Sequence, residues 1–331
     1  PGTMDDQSKV FDRMLARAAE TDTPVFLPAG TYVVSNLKLP RRVRLSGVPS
    51  ATRIVYGGDG HLLFAEDADL VDLSGLVIDG ANKWIGDHAQ AIVDFRRVAE
   101  LSIDRCQIIG SGKSGVALER VSGRIERSTI TGAAEYGIYS VEARRVTIRD
   151  NMVADCGNGG ILVWGNANRS GSSTISGNAI SGIGASNGGN GQNGNGINIF
   201  RCDDVIIAGN RIKDCAFTAI RLNSTRNVVV SGNLCTNSGE VAIFSEFAFT
   251  GSVIADNIVD GAALGISVTN MDSGGQVATV SGNIVRNVRE RSEVNPDTRP
   301  IGIYAEADTA ITGNTVHSIV GMGIRAGNGP F

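Results

Sequence analysis

Two glutamates, Glu246 and Glu306, each stand three places after an isoleucine that follows a small residue, in Ala242-Ile243 and Gly302-Ile303. The same small-then-β-branched pair recurs at Gly115-Val116, Gly137-Ile138, Gly160-Ile161, Gly196-Ile197, Ala219-Ile220, Gly265-Ile266 and Gly323-Ile324. If each pair marks one point of a repeated strand with its β-branched side chain inward, alternation turns the next residue outward, and the third one outward again. Two outward columns result. The first reads Ala117, Tyr139, Leu162, Asn198, Arg221, Phe244, Ser267, Tyr304, Arg325; the second reads Glu119, Val141, Trp164, Phe200, Asn223, Glu246, Thr269, Glu306.

Glu246 and Glu306 fall two coils apart in the second column, so about 9.6 Å separates their backbones at a strand spacing of about 4.8 Å. Side-chain bending brings the carboxyls to about 6.5–9.5 Å, the spacing of an inverting glycosidase pair. Glu246 is then the base and Glu306 the acid. Arg221, diagonal to Glu246, either lowers its pKa or clamps a substrate carboxylate. Asn198, Asn223 and Arg325 are candidates for holding hydroxyls or uronates, and Tyr139, Trp164, Phe244 and Tyr304 for stacking on sugar C–H faces. In a lyase variant Tyr304 or Arg221 handles the proton on the sugar carbon and the glutamates orient substrate. The alternative is a non-catalytic glycan-binding or structural module, whose outward glutamates are solvated surface.

A repeated element must position these columns. Asn151, Asn178, Asn210, Asn233, Asn257, Asn283 and Asn314 each follow a short alternating apolar run, as in "TISGNAI" and "VVSGNLC", while Leu76, Cys106 and Ser128 hold the slot upstream. The basic unit is about 23 residues, too short for helical crossovers and free of helical periodicity. An all-β, right-handed parallel β-helix of about ten coils follows, as one domain over 1–331 with a cap helix within 1–22 and coils over 23–331. Stacked asparagines bond from coil to coil and are structural. Val10, Phe11, Met14, Leu15 and Ala18 form one helical stripe behind the capping residues Asp5, Asp6 and Ser8. Insertions at 184–196 and 289–300 enter just before the strands of Asn198 and Tyr304, as walls or lids, the first rich enough in glycine and asparagine to be flexible. The end of the chain shows no helix or charged cap, so its sheet edge is expected to be covered by loops or a partner, with oligomerisation through that edge an option.

Composition narrows the partners. A formal charge of −4 with scattered basic residues leaves no footprint for nucleic acid, and no apolar run approaches the roughly 20 residues of a membrane span. Five cysteines without a C-x-x-C pair suggest neither zinc nor disulfides, and no cofactor or metal is expected. His61 and His317 read as ordinary half-buried residues. His88, beside Trp84 and Asp87 in an inserted loop, is a secondary acid or base candidate.

The opening "DDQSKVFDRMLARAAETDTPVFLPAGTYVVSNLKLP" is similar to the start of the pectate-lyase-like β-helix superfamily, where an Asp-Asp cap leads through a helix to a "Leu-Pro-x-Gly-x-Tyr" strand. With the "SGN" repeats that follow, the whole chain resembles the twin-arginine-translocated repeat proteins of bacteria. That resemblance implies export of the folded protein to the periplasm or beyond, and it supplies no catalytic residues. The calcium-site aspartate cluster of pectate lyases, the Asp-Asp plus His-Gly pattern of polygalacturonase-like hydrolases and the alginate-epimerase signature have no match; Asp203-Asp204 reads as a solvated turn.

Overall fold

The computed structural model describes residues 5–166, 170–189, 191–306 and 308–327. The chain forms two compact units, Pro1–Cys156 and Gly157–Phe331. Each is a right-handed parallel β-solenoid whose coils carry three short strands, one for each of three sheets. In the first unit the opening coil is Val25–Leu27, Gly30–Val34 and Leu37–Lys38, and the next is Arg42–Gly47, Thr52–Tyr56 and Leu63–Glu66. In the second unit a representative coil is Arg226–Ser231, Leu234–Ser238 and Val241–Glu246. Among the described residues the third strand of the coil occurs five times in the first unit and seven times in the second, twelve coils where the sequence repeat suggests about ten. The coils at Leu37–Lys38 and Leu63–Glu66 lack the small-then-β-branched pair, and in Ala91–Arg96 the pair Ala91-Ile92 stands one residue out of register, Val93 being the partner of Val116, so these coils escape a search by repeat.

Short strands form because apolar residues alternate with polar ones for only three to six positions before a turn. In the second unit the inward isoleucines pair in one unbroken ladder, Ile161, Ile197, Ile220, Ile243, Ile266, Ile303 and Ile324. The first six are fully buried and Ile324, in the last strand, is half exposed. Beside this core runs the asparagine ladder. Asn233 Nδ2 donates to Asn257 Oδ1 and Asn257 Nδ2 to Asn283 Oδ1, each at 2.9 Å, and every Nδ2 also reaches a carbonyl one coil back. Asn257→Ala would strip the backbone N–H of buried Asn233 of its acceptor and its side-chain amide of one acceptor, the Ile207 carbonyl remaining. It is expected to cost about 2–4 kcal/mol in a denaturant melt, at about 1–3 kcal/mol per buried group left unpaired.

The helix Ser8–Thr21 buries Phe11 and Leu15 of the expected stripe, while Val10 is exposed. Its N-cap position is Gln7, without a side-chain cap bond; Asp6 Oδ1 instead accepts from the backbone N–H of Ser8 at 2.9 Å. Among the described residues no helix follows residue 30, and no helix is long and apolar enough to cross a membrane. All five cysteines are buried, and burial pushes the thiols of Cys106, Cys156 and Cys235 up to about 12. A thiol reagent is therefore expected to label none in the native protein and five after denaturation, by mass spectrometry.

The glycine-rich insertion is packed. An added Cβ at Gly189 would lie 1.6 Å from the ring of Phe217, so only glycine lets this loop close over that buried aromatic.

Candidate functional site

The outward face of the third sheet in the second unit carries the candidate residues. Registers pair Asn198 with Arg221, Arg221 with Phe244, Phe244 with Ser267, Ser267 with Tyr304 and Tyr304 with Arg325. The neighbouring column pairs Trp164 with Phe200, Phe200 with Asn223, Asn223 with Glu246 and Glu246 with Thr269. Tyr139 lies in the first unit, pairs with Ala117 and packs against Tyr136, with ring centroids 5.3 Å apart.

Glu246 is the most altered from expectation. It is 0% exposed, and Arg221 grips it with two hydrogen bonds, Nε to Oε1 at 2.7 Å and Nη2 to Oε2 at 2.9 Å. Asn223 Nδ2 adds a third at 3.0 Å. Three bonds leave one of its roughly four lone-pair sites unused, but at 0% exposure that site is closed to water or sugar. Arg221 is committed as well: its Nη1 lies 3.7 Å from Glu240, and its guanidinium stacks 5.0 Å from the ring centroid of Phe244. Glu240, which the column reasoning missed, is buried and accepts from Thr218 Oγ1 at 3.2 Å and from Asn295 Nδ2 at 2.7 Å. The slot three places before the landmark, which holds Glu240, also carries Lys113, Glu135 and Asn158 beside Gly194, Phe217, Ala263 and Pro300, so residue type there gave no signal of burial.

Glu306 stands differently. Tyr304 Oη donates to its Oε1 at 2.7 Å, and the backbone N–H of Met271 to its Oε2 at 3.2 Å. Burial, followed by the neighbouring Glu306 carboxylate, pushes the Tyr304 phenol up to about 12, against the opposing charges of Arg325 and Arg299. The guanidinium of Arg325 stacks 5.0 Å from the Tyr304 ring centroid. These groups line a cavity of about 350 Å³ with Phe244, Ser267, Thr269 and Ile301, roofed by Asn295, Asp297, Thr298 and Arg299 of the 289–300 insertion. Thr269 Oγ1 is buried there without a hydrogen-bond partner. The insertion is pinned by Asn295 on Glu240 and by Ser292 Oγ donating to the Gly239 carbonyl at 2.8 Å.

A second cavity, about 370 Å³, lies on the other side of Arg221 and is lined by Trp164, Gln192, Asn198, Phe200, Asn223 and Phe247. Trp164 and Phe200 meet edge to face at 6.0 Å. Asn198 is 2% exposed, and its Nδ2 donates to the Gly191 carbonyl at 3.0 Å, so this amide holds the glycine-rich loop. Phe244 is likewise buried, in a cluster with Val241, Leu264 and Ile301 that Tyr304 covers. Both are walls of the site where the columns alone suggest open contacts. Among the described residues no group of three or more His, Cys, Asp and Glu side chains is arranged to hold a metal ion.

Among solved structures the chain is similar to the catalytic unit of a GH87 alpha-1,3-glucanase from Streptomyces thermodiastaticus strain HF3-3, with 16% identity and a TM-score of 0.68 over 99% of this chain. It spans 66% of that unit's length. It is also similar to an alginate lyase from Paenibacillus sp. str. FPU-7, at 16% identity and a TM-score of 0.53 over 96% of each chain. A third likeness is to the A-module of the mannuronan C-5 epimerase AlgE4 of Azotobacter vinelandii, at 14% identity and 0.52 over 99% of this chain and 97% of that one. At such identities the likeness is one of fold. No curated protein matches the sequence. The family model described as a right-handed beta helix region matches residues 90–192 and 167–331, so with its stacked three-strand coils the chain belongs to the right-handed β-helix family.

Proposed function

We propose that the chain is a carbohydrate-active β-helix protein that acts on a polysaccharide at the cavity of Tyr304 and Glu306. The observation that carries this reading is the 2.7 Å hydrogen bond from Tyr304 to Glu306 at a cavity where the buried Thr269 hydroxyl lacks a partner. A phenol raised to about 12 keeps its proton at neutral pH and can donate it, and the carboxylate beside it can accept one. The pair thus has both roles that cleaving a glycosidic bond requires. Arg221 and Glu246 serve as a locked strut that sets Phe244 and the cavity floor, in place of the expected clamp and base. Trp164 and Phe200 form an apolar subsite next to it, and Arg325 flanks the tyrosine. The likeness to glucanase, lyase and epimerase folds supports a sugar polymer as substrate, by analogy of fold. The resemblance of the whole chain, opening and "SGN" repeats together, to twin-arginine-translocated repeat proteins supports action outside the cytoplasm.

A panel of acidic and neutral bacterial glycans, with reducing ends and the ultraviolet absorbance of unsaturated uronate ends recorded together, tests the proposal. Depolymerisation of one glycan is expected, the absorbing ends marking a lyase and their absence a hydrolase. Glycans bound but recovered intact would favour a binding role, to which the mutual capture of Arg221 and Glu246 already lends weight. Neither binding nor turnover with any of them would count against a carbohydrate function.

A further inference from the structure

The first unit holds an unassigned pair of histidines. His61 Nδ1 and His88 Nε2 lie 3.0 Å apart, with ring planes at 82°, although 27 residues separate them in the chain. His61 is set just before the strand Leu63–Glu66 and packs on Phe64, ring centroids 5.4 Å apart. His88 is carried in by the insertion between Val77–Asp79 and Ala91–Arg96, and that insertion is anchored on every side. Gly86 N–H donates to the Gly60 carbonyl at 2.6 Å, Lys113 Nζ to the Gly86 and Ala89 carbonyls, and Arg96 Nη2 to the His88 carbonyl at 2.7 Å. Arg96 is in turn fixed by the buried carboxylate of Asp94 at 2.9 Å. A Cβ at position 86 would fall 2.8 Å from His88 Cε1, so the glycine there makes room for the ring.

We propose that His61 and His88 form a binding site for a divalent transition metal of the copper(II) or nickel(II) class. With metal–nitrogen bonds of about 2.0–2.1 Å, two nitrogens 3.0 Å apart close on one ion at an angle of about 95°. That angle is the cis angle of a tetragonal or square-planar ion; a tetrahedral ion needs about 3.3–3.4 Å between its nitrogens. Imidazole suits these ions, and copper(II) heads their affinity order. No third protein ligand stands among the described residues, and His88 is exposed, so water completes the coordination. The ion would replace the hydrogen bond between the rings and pin the insertion, with its exposed Trp84, to the coil beneath. This site is independent of the sugar-binding proposal.

The test is titration of the full chain with copper(II) chloride, followed by calorimetry and by electron paramagnetic resonance. One equivalent is expected, with hyperfine coupling to two nitrogens and a rise in the unfolding midpoint. His88→Ala and His61→Ala should each weaken binding at least about tenfold, since each removes half of the protein ligands, while His317→Ala leaves the tight equivalent unchanged. Because His88 is exposed, its variant keeps the fold, which circular dichroism checks. Gly86→Ala, which pushes the ring aside, should weaken binding as well. Copper bound equally well by His88→Ala, or coupled to fewer than two nitrogens in the wild type, would overturn the site.

Discussion

Glu306→Gln is expected to lower turnover on the cognate glycan by about a hundredfold or more, with substrate affinity nearly unchanged. Glutamine keeps the size of the side chain and an oxygen able to accept from Tyr304, so the packing of the cavity survives. What disappears is the basic carboxylate. Tyr304→Phe is expected to act with similar force for the complementary reason: the ring still packs on Val241, Phe244, Leu264 and Ile301, but the proton is gone. Because the two groups share one hydrogen bond, the double variant should be little worse than either single one. A double variant whose losses multiply would show that the two residues act separately.

Glu246→Ala is expected to be among the most destabilising single changes in the second unit, by about 3–5 kcal/mol. The carboxylate is fully buried, and its removal leaves a guanidinium of which only 12% of the side chain is exposed facing an empty space. Glu240 at 3.7 Å is too far, and too occupied with Thr218 and Asn295, to replace it. Arg221→Met in the same background should restore much of the loss, since a buried ion pair replaced by apolar volume is often neutral. If Glu246→Ala melts with the wild type and alters turnover alone, Glu246 is a working acid or base and the strut assignment is wrong.

The registers of both columns were legible because a strand has a strict period of two and one landmark per coil fixes which side chains align. From Ile197 to Ile324 that landmark recurs in every coil of the second unit, and the outward pairs of the structure follow from it. Burial was not legible in the same way. Whether Glu246 faces solvent depends on Arg221 and Asn223 one coil before it and on how the 289–300 insertion folds back to Glu240, none of which periodicity encodes. The glycine-rich loop looked flexible because composition does not reveal that Phe217 lies beneath it. The His61–His88 pair lies in coils without the landmark, where no register could be assigned, so two residues that read as unrelated meet at 3.0 Å.

The claim that sugar chemistry takes place at Tyr304 and Glu306 is tested most directly by the structure of the Glu306→Gln variant soaked with an oligosaccharide of the glycan that the wild type degrades. A sugar ring is expected over the cavity floored by Phe244 and Thr269, with the oxygen of the bond to be broken within about 2.6–3.2 Å of Tyr304 Oη. An oligosaccharide seated elsewhere, with the Tyr304 cavity empty beneath its 289–300 roof, would contradict it.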